Sequence, residues 1–125
     1  MNIARKARGT RSQRGGIAAE SAACAALEQD GWTILGRRLQ TGAGEIDIVA
    51  EKDRLLAIIE VKSRKTLSEA AYALSARQRA RLIAAAEALL ALHPEWGEAG
   101  VRFDVIVVDG AGKIRRISDA FRQEI

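Results

Sequence analysis

The stretch that decides the fold is GEIDIVAEKDRLLAIIEVKS, residues 44–63. The side chains at 45–50 alternate between two faces, which is the pattern of a strand with one buried side. A polar turn at 51–53 leads into a second strand at 54–63, whose centre at 55–59 is apolar on both faces and suits an interior position in a sheet. Two strands joined this closely predict an antiparallel hairpin.

The segments on either side of this hairpin add further helices and strands. Ser75 followed by Gln78 is the capping box that opens a helix, and His93-Pro94 marks its end. A strand, a helix and a strand in succession imply a right-handed crossover between parallel strands. The sequence therefore predicts a single-domain α/β sandwich with a mixed sheet flanked by helices. The predicted elements are a helix at 17–30, strands at 32–40, 45–50 and 54–63, a helix from Ser75 to Leu92, a strand at 101–108, a short strand at 113–117 and a final helical stub.

The charges divide the chain into a basic arm and a nearly neutral body. Residues 1–14 hold five arginines or lysines and no acid, which leaves 15 basic and 16 acidic residues for the rest of the chain. With 48% hydrophobic residues overall, the chain can bury the core of one domain. Residues 1–14 are therefore expected to form a flexible basic arm, joined by Gly15-Gly16 to a folded domain at 15–125.

No segment of the sequence has the pattern of export or membrane insertion. No apolar run approaches the ~20 residues that span a bilayer, and the charged amino terminus lacks the apolar stretch of a secretory signal. The chain has a lone cysteine, Cys24, instead of a disulfide framework. These features predict a cytoplasmic protein without a membrane partner.

Asp47, Glu60 and Lys62 lie on one predicted face of the hairpin. The side-chain period of two places Glu60 and Lys62 at the end of a stripe that also holds Leu56 and Ile58. A symmetric hairpin would pair Asp47 with Ile58, which makes Asp47 a diagonal neighbour of Glu60 at roughly 7–8 Å. Two carboxylates so placed can hold one Mg²⁺, and a nearby lysine can orient or deprotonate a water that attacks a phosphodiester.

Glu20 supplies a third acid from the first helix. Its neighbours on the helix surface are Ile17, Cys24 and Leu27, so Glu20 belongs to an apolar face. An acid on the core-facing side of a helix is costly unless it is paired or binds a cation. Glu20 is therefore predicted to join the two strand acids.

A cluster of basic residues follows the hairpin. Positions 62–81 contain six arginines and lysines against the single acid Glu69. Such a local excess of positive charge can meet the phosphates of a nucleic acid. Apart from Lys62, the basic residues of this cluster are Arg64, Lys65, Arg77, Arg79 and Arg81.

Four separated motifs carry a family resemblance: Gly16-x-x-Ala19-Glu20, GEIDIVA at 44–50, EVK at 60–62 and RFDVI at 102–106. Together they resemble the YraN family of small bacterial endonuclease-like proteins, within the PD-(D/E)XK nuclease superfamily, over about residues 15–108. The resemblance implies the αβββαβ core of restriction endonucleases and archaeal Holliday-junction resolvases. The proline of the superfamily name is absent, because Ile46 precedes Asp47.

The resemblance also implies roles for individual residues. Lys62 would act on the attacking water, and Gln78 lies where members often project a polar or basic side chain from the second helix. The bound ion would be Mg²⁺ or Mn²⁺. Its implied ligands are Asp47, Glu60, the carbonyl of Val61 and Glu20.

Some of these charged residues also have ordinary structural explanations. Glu60 and Lys62 could form a same-face ion pair at the end of a strand. Glu45 is expected to be solvated or paired with an arginine. Asp104 is expected to pair with Arg102 or another basic neighbour and to have no catalytic role.

The sequence thus predicts a Mg²⁺-dependent nuclease-like protein that hydrolyses phosphodiester bonds in DNA. Branched or otherwise structured DNA is the expected substrate by analogy with junction resolvases. Two alternatives stay open: a nucleic-acid-binding module that keeps the fold but does not cleave, and a scaffold whose basic arm binds RNA, lipid or an acidic partner. The oligomeric state also stays open, and a homodimer is compatible with the sequence.

Overall fold

The computed structural model describes residues 3–67 and 74–121, with side chains described from residue 16 onward. Within these ranges the chain forms two helices and five strands, in the α/β arrangement that the sequence predicts. The elements are α1 (Ile3–Gln29), β1 (Thr33–Thr41), β2 (Gly44–Lys52), β3 (Leu55–Ser63), α2 (Ala76–Leu92), β4 (Gly100–Val108) and β5 (Ile114–Phe121).

The five strands form one mixed sheet in the order β1-β2-β3-β4-β5. Neighbouring strands are antiparallel except β3 and β4, which are parallel and are connected through α2. A parallel pair requires such a crossover, because the chain must return to the same end of the sheet. The observed sheet confirms the predicted mixed topology and is consistent with a restriction-endonuclease-like core.

The β2–β3 turn consists of Asp53 and Arg54, which have positive φ values of 51° and 66°. Two consecutive left-handed residues are typical of a type I′ turn, whose twist matches the strands that it joins. As a result Val49, and not Asp47, lies opposite Ile58. The predicted register is therefore wrong by two residues. A shift of two would preserve the alternation of side chains along β2. The predicted alternation is nevertheless wrong near Asp47, because Ile46 packs beneath α2 whereas Ile48 and Ala50 pack beneath α1.

Two apolar cores lie on opposite faces of the sheet, one beneath each helix. Neighbouring residues of β3 point into different cores, since Ile58 packs with α2 and Ile59 packs with α1. This confirms β3 as an interior strand that is apolar on both faces. The α1 core includes Ala19, Ala23, Leu27, Ile48, Ala50 and Ile106, and the α2 core includes Val49, Leu56, Leu82, Ala85, Leu89 and Val105.

The ends of α2 follow the predicted signals. The Ser75 side chain accepts a hydrogen bond from the Gln78 amide, and the Gln78 side chain accepts one from the Ser75 amide, which completes the capping box. His93 forms the carboxyl-terminal cap and stacks on Trp96 with ring centroids 3.8 Å apart. Neither helix, within the residues described, has the length and apolarity that crossing a membrane requires.

The two ends of the described chain differ from prediction. Helix α1 begins at Ile3, so its backbone is helical through Gly15-Gly16, where a joint was expected. The structure describes side chains only from residue 16 onward. The flexible basic arm at 1–14 therefore stays a prediction.

At the carboxyl end, strand β5 runs to Phe121, so the helical stub predicted after residue 117 is wrong for residues 118–121. The Phe121 ring stacks on Phe103 at 4.7 Å, and the Asp119 amide donates to Asp104 at 2.8 Å. These contacts with β4 hold the segment in the sheet. Residues 122–125 lie outside the description.

Candidate metal centre

The candidate centre lies where β2 and β3 separate. Their ladder pairs end at Ile48 and Ile59. Beyond this point β2 remains paired with β1 as far as Gly44, and β3 remains paired with β4 as far as Ser63. The next residues on the two strands therefore stand at the mouth of a gap in the sheet. Those residues are Asp47 and Glu60.

Asp47 bridges the two strands at this gap. One of its carboxylate oxygens, Oδ2, accepts a hydrogen bond from the Val61 amide at 2.8 Å. The Glu60 carboxyl lies close enough for its charge to act on Asp47. Burial, and after it the charge of Glu60, raises the pKa of Asp47 from 3.8 to about 6, although the Val61 N–H group favours the charged form. A carboxylate that ionises with such difficulty is one that a nearby cation would stabilise.

Glu60 connects Asp47 to Lys62. The Glu60 side chain is 11% exposed, and its Oε1 lies 3.3 Å from Lys62 Nζ. The Lys62 side chain is 23% exposed, so the ammonium group is partly open to solvent while it is held by the carboxylate. The same-face ion pair that the sequence allows is therefore present, and Glu60 links it to Asp47.

Glu20 and Glu45 converge on Asp47 from α1 and from β2. One carboxylate oxygen of each lies within 4.8 Å of those of the other two. Glu20 is almost fully buried, as its place on the apolar face of the helix predicts. Glu45 is exposed as expected, but its hydrogen-bond partner is Gln40, at 2.6 Å, and not an arginine. The sequence interpretation missed its place in this group.

We call Glu20, Glu45, Asp47 and Glu60 the acid group. Their donor atoms are all carboxylate oxygens, which are the hard ligands that Mg²⁺ and Mn²⁺ take in proteins. Burial raises the pKa of Asp47 most, and the charges of Glu60 and Glu45 raise it further. Both observations fit a divalent cation. Val61 contributes its N–H group to Asp47, and the role of its carbonyl as a ligand stays a prediction.

Arg81, from the basic cluster of 62–81, lies against the turn that precedes Glu45. A β-carbon built on Gly44, the residue before Glu45, would lie 3.1 Å from Arg81 Cδ. The exposed Arg81 side chain therefore covers the turn that carries Glu45. The Gln78 oxygen is used in the cap of α2. Of the remaining members, Lys65 and Arg77 are exposed, and Arg64 and Arg79 are half-buried.

Asp104 belongs to a separate cluster. Its carboxylate, which is fully buried, receives two hydrogen bonds from Arg102 at 2.9 Å and one from Arg116 Nη2 at 3.0 Å. Both guanidinium groups also lie over the Trp32 ring, at 5.3 and 4.8 Å from its centroid. The expected pairing with Arg102 is confirmed, and Asp104 has the contacts of a structural ion pair.

Residues 19–108 match the family model described as "Uncharacterised protein family UPF0102". The chain belongs to the UPF0102 family. It is 69% identical over 115 residues to a UPF0102 protein of Granulibacter bethesdensis, an alignment that covers 92% of this chain and 73% of the relative. A relative in Azorhizobium caulinodans is 50% identical over 109 residues, or 87% and 83% of the two chains. One in Rhodopseudomonas palustris is 45% identical over 108 residues, or 86% and 83%.

The matched region has a direct relation to the site. It contains all four residues of the acid group together with Lys62, and it leaves out residues 1–14. The description of the UPF0102 family states no activity. The nuclease character implied by the YraN resemblance therefore stays a prediction.

Proposed function

We propose that this UPF0102 protein is a Mg²⁺- or Mn²⁺-dependent nuclease that hydrolyses phosphodiester bonds in DNA. The observation that carries the proposal is the convergence of the acid group at the gap between β2 and β3, with Lys62 in contact with Glu60. The reaction needs negative phosphate oxygens to be neutralised and a water to be activated. The residues at the gap provide oxygen ligands for a cation and an ammonium group beside them.

Each residue has a definite role in this proposal. Asp47, Glu60 and Glu20 hold the cation, and Glu45 adds a carboxylate from the solvent side. The bound cation would neutralise the phosphate and lower the pKa of a coordinated water. Lys62 orients the attacking water, and Glu60 fixes the position of the ammonium group through the 3.3 Å contact. Attack of the water oxygen on phosphorus breaks one P–O bond and leaves a phosphate monoester and a hydroxyl group.

The basic residues around the gap support a nucleic acid as the substrate. Arg81 extends over the Gly44 turn, beside Glu45, where the guanidinium can bind the phosphate next to the one that is cut. Lys65 and Arg77 are exposed and can extend this contact. Branched or structured DNA is the substrate proposed by analogy with junction resolvases.

A panel of labelled substrates tests this function. Linear duplex, single-stranded DNA, a flap and a four-way junction would be incubated with the wild type in Mg²⁺, in Mn²⁺ and in EDTA. Cleavage that needs the metal and that Asp47→Asn abolishes is the expected result. The matched control is Glu98→Gln, which removes the same charge from an exposed acid whose partner is Arg54.

Two other outcomes would contradict the proposed activity. Binding of the substrates without cleavage, in either metal, would favour the silent binding module. Cleavage that Asp47→Asn and Glu98→Gln leave equally unchanged would mean that the acid group is not the active centre.

A further inference from the structure

Arg38 has a left-handed backbone conformation inside the edge strand β1. Its φ is 51°, a region that is sterically disfavoured for residues with a β-carbon. The ladder pair of Arg37 with Ile48, one position away, places Arg38 opposite Asp47. The residue is therefore fixed beside the acid group by its position in the sheet, in a conformation that turns it away from the regular path of the strand.

The Arg38 side chain binds the acid group directly. Its Nε donates to Glu20 Oε2 at 2.9 Å, and the two side chains are 37% and 6% exposed. A β-carbon at Gly16, one turn earlier on α1, would lie 3.5 Å from Arg38 Nη2. The guanidinium thus lies against α1 and places a permanent positive charge next to Glu20.

Arg38 and a divalent cation would share the same carboxylate. Two positive charges a few ångströms apart repel each other, so each weakens the binding of the other. Among the hydrogen bonds of the described residues, Arg38 donates through Nε alone, while its side chain remains partly exposed. A planar guanidinium with outward N–H groups suits the oxygens of a phosphate.

We propose that Arg38 is a phosphate-binding residue, held by Glu20 in the metal-free protein and transferred to a substrate phosphate when a divalent cation binds. The inference rests on the proposed function and adds a residue to it. Because Arg38 is opposite Asp47, a phosphate that it binds lies at the acid group. Cation binding and nucleic-acid binding are then coupled through one side chain.

The first experiment measures Mn²⁺ binding by calorimetry. Arg38→Asn suits the left-handed backbone and removes the charge, so it is expected to fold and to bind Mn²⁺ about tenfold more tightly. Arg38→Lys keeps the charge and should bind Mn²⁺ as the wild type does. The matched control is Arg37→Asn, since Arg37 is the adjacent arginine and donates to Ser21 at 3.2 Å instead of to an acid.

The second experiment measures the affinity of a fluorescent DNA oligonucleotide in EDTA and in Ca²⁺, which takes similar oxygen ligands. In the wild type, Ca²⁺ should strengthen binding by releasing Arg38. In Arg38→Asn the increase of DNA affinity caused by Ca²⁺ should be about tenfold smaller than in the wild type. This is the loss expected for one hydrogen bond to a charged group. Arg37→Asn should weaken binding by the same factor with and without Ca²⁺.

The outcomes separate this inference from the function on which it rests. A wild type that binds no Mn²⁺ contradicts the proposed metal centre and the role of Arg38 together. If the wild type binds Mn²⁺ and Arg38→Asn binds it equally or more weakly, the metal centre stands and the exchange of Arg38 is overturned. An unchanged Ca²⁺ gain in Arg38→Asn also overturns it.

Discussion

Replacing Asp47 by asparagine is expected to stabilise the metal-free protein at neutral pH. In the absence of a cation, Asp47 lies against Glu60 in a partly buried gap, and its ionised form is disfavoured there. Asparagine keeps an oxygen for the Val61 amide and introduces an NH₂ group that can donate to Glu60. The substitution thus removes a repulsion without removing the hydrogen bond that crosses the gap.

The raised pKa sets the magnitude of this effect. A shift of the Asp47 pKa from 3.8 to about 6 gives an upper limit of ~3 kcal/mol, at ~1.4 kcal/mol for each unit. Asp47 is only half-buried, and solvent screens part of the repulsion. We therefore expect the free energy of unfolding to increase by ~1–2 kcal/mol, or by roughly 4–8 °C in Tm for a chain of this size.

The sign of the effect depends on pH. A carboxyl with a raised folded-state pKa binds its proton more tightly in the folded chain than in the unfolded one. Its contribution to stability is therefore present below the unfolded value of 3.8 and is lost as the pH rises through about 6. Asparagine does not titrate and escapes this loss. The difference in stability between Asp47→Asn and the wild type should accordingly grow between these two pH values and stay constant above them.

Urea unfolding followed by circular dichroism, in EDTA across this pH range, measures the difference. The control Glu98→Gln should show no such growth. A second series in Mg²⁺, at 100 times its dissociation constant, should stabilise the wild type by ~2.7 kcal/mol and the Asp47→Asn variant by much less. If Asp47→Asn unfolds more easily than the wild type in EDTA at neutral pH, and Mg²⁺ does not stabilise the wild type, the acid group is a structural network and the reasoning is refuted.

Three further predictions concern other residues. Lys62→Ala should abolish DNA hydrolysis while Mn²⁺ binding stays nearly intact, because the ammonium group acts on water; an undiminished single-turnover rate would contradict this role. Replacing the five basic residues of 1–14 by glutamine should reduce the slope of the logarithm of the DNA association constant against the logarithm of salt concentration by about 2–3 units, since each neutralised phosphate contributes ~0.9. An unchanged slope would mean that this segment does not contact DNA. Asp104→Asn should lower the free energy of unfolding by ~3–5 kcal/mol in chemical denaturation, since it leaves Arg102 and Arg116 beside an uncharged group; a loss below ~1 kcal/mol would contradict the structural role.

The sequence predicts the hairpin well because its information is local. The alternation at 45–50 and the apolar centre at 55–59 define two strands and the turn between them. The faces are less well predicted, because Ile46 and Ile48 pack in different cores. The exact register was not predictable in the same way. It depends on the left-handed conformations of Asp53 and Arg54, and neither residue is the glycine that usually signals such a turn.

The composition of the acid group was predictable only in part. Asp47 and Glu60 follow from their places in the hairpin, and Glu20 follows from the helical period. The place of Glu45 depends on how α1 sits over the sheet, which no local pattern contains. The same holds for Arg38, whose contact with Glu20 joins residues 18 positions apart. A charged residue two positions before Asp47, on its predicted face, was the one available signal for Glu45.

The cluster around Asp104 has a consequence for the order in which the chain acquires its structure during synthesis. Arg116 lies in the last described strand, yet it contacts Asp104 and Asp30 and stacks on Trp32. Until β5 has left the ribosome, Asp104 has Arg102 as its only arginine partner in this cluster. The junction between α1 and β1 then lacks one of the two guanidinium groups that lie over Trp32. The emergence of β5 therefore completes the contacts of a junction whose own residues are translated early. In a nascent chain stalled before Arg116, Trp32 is expected to be more accessible to quenchers of its fluorescence.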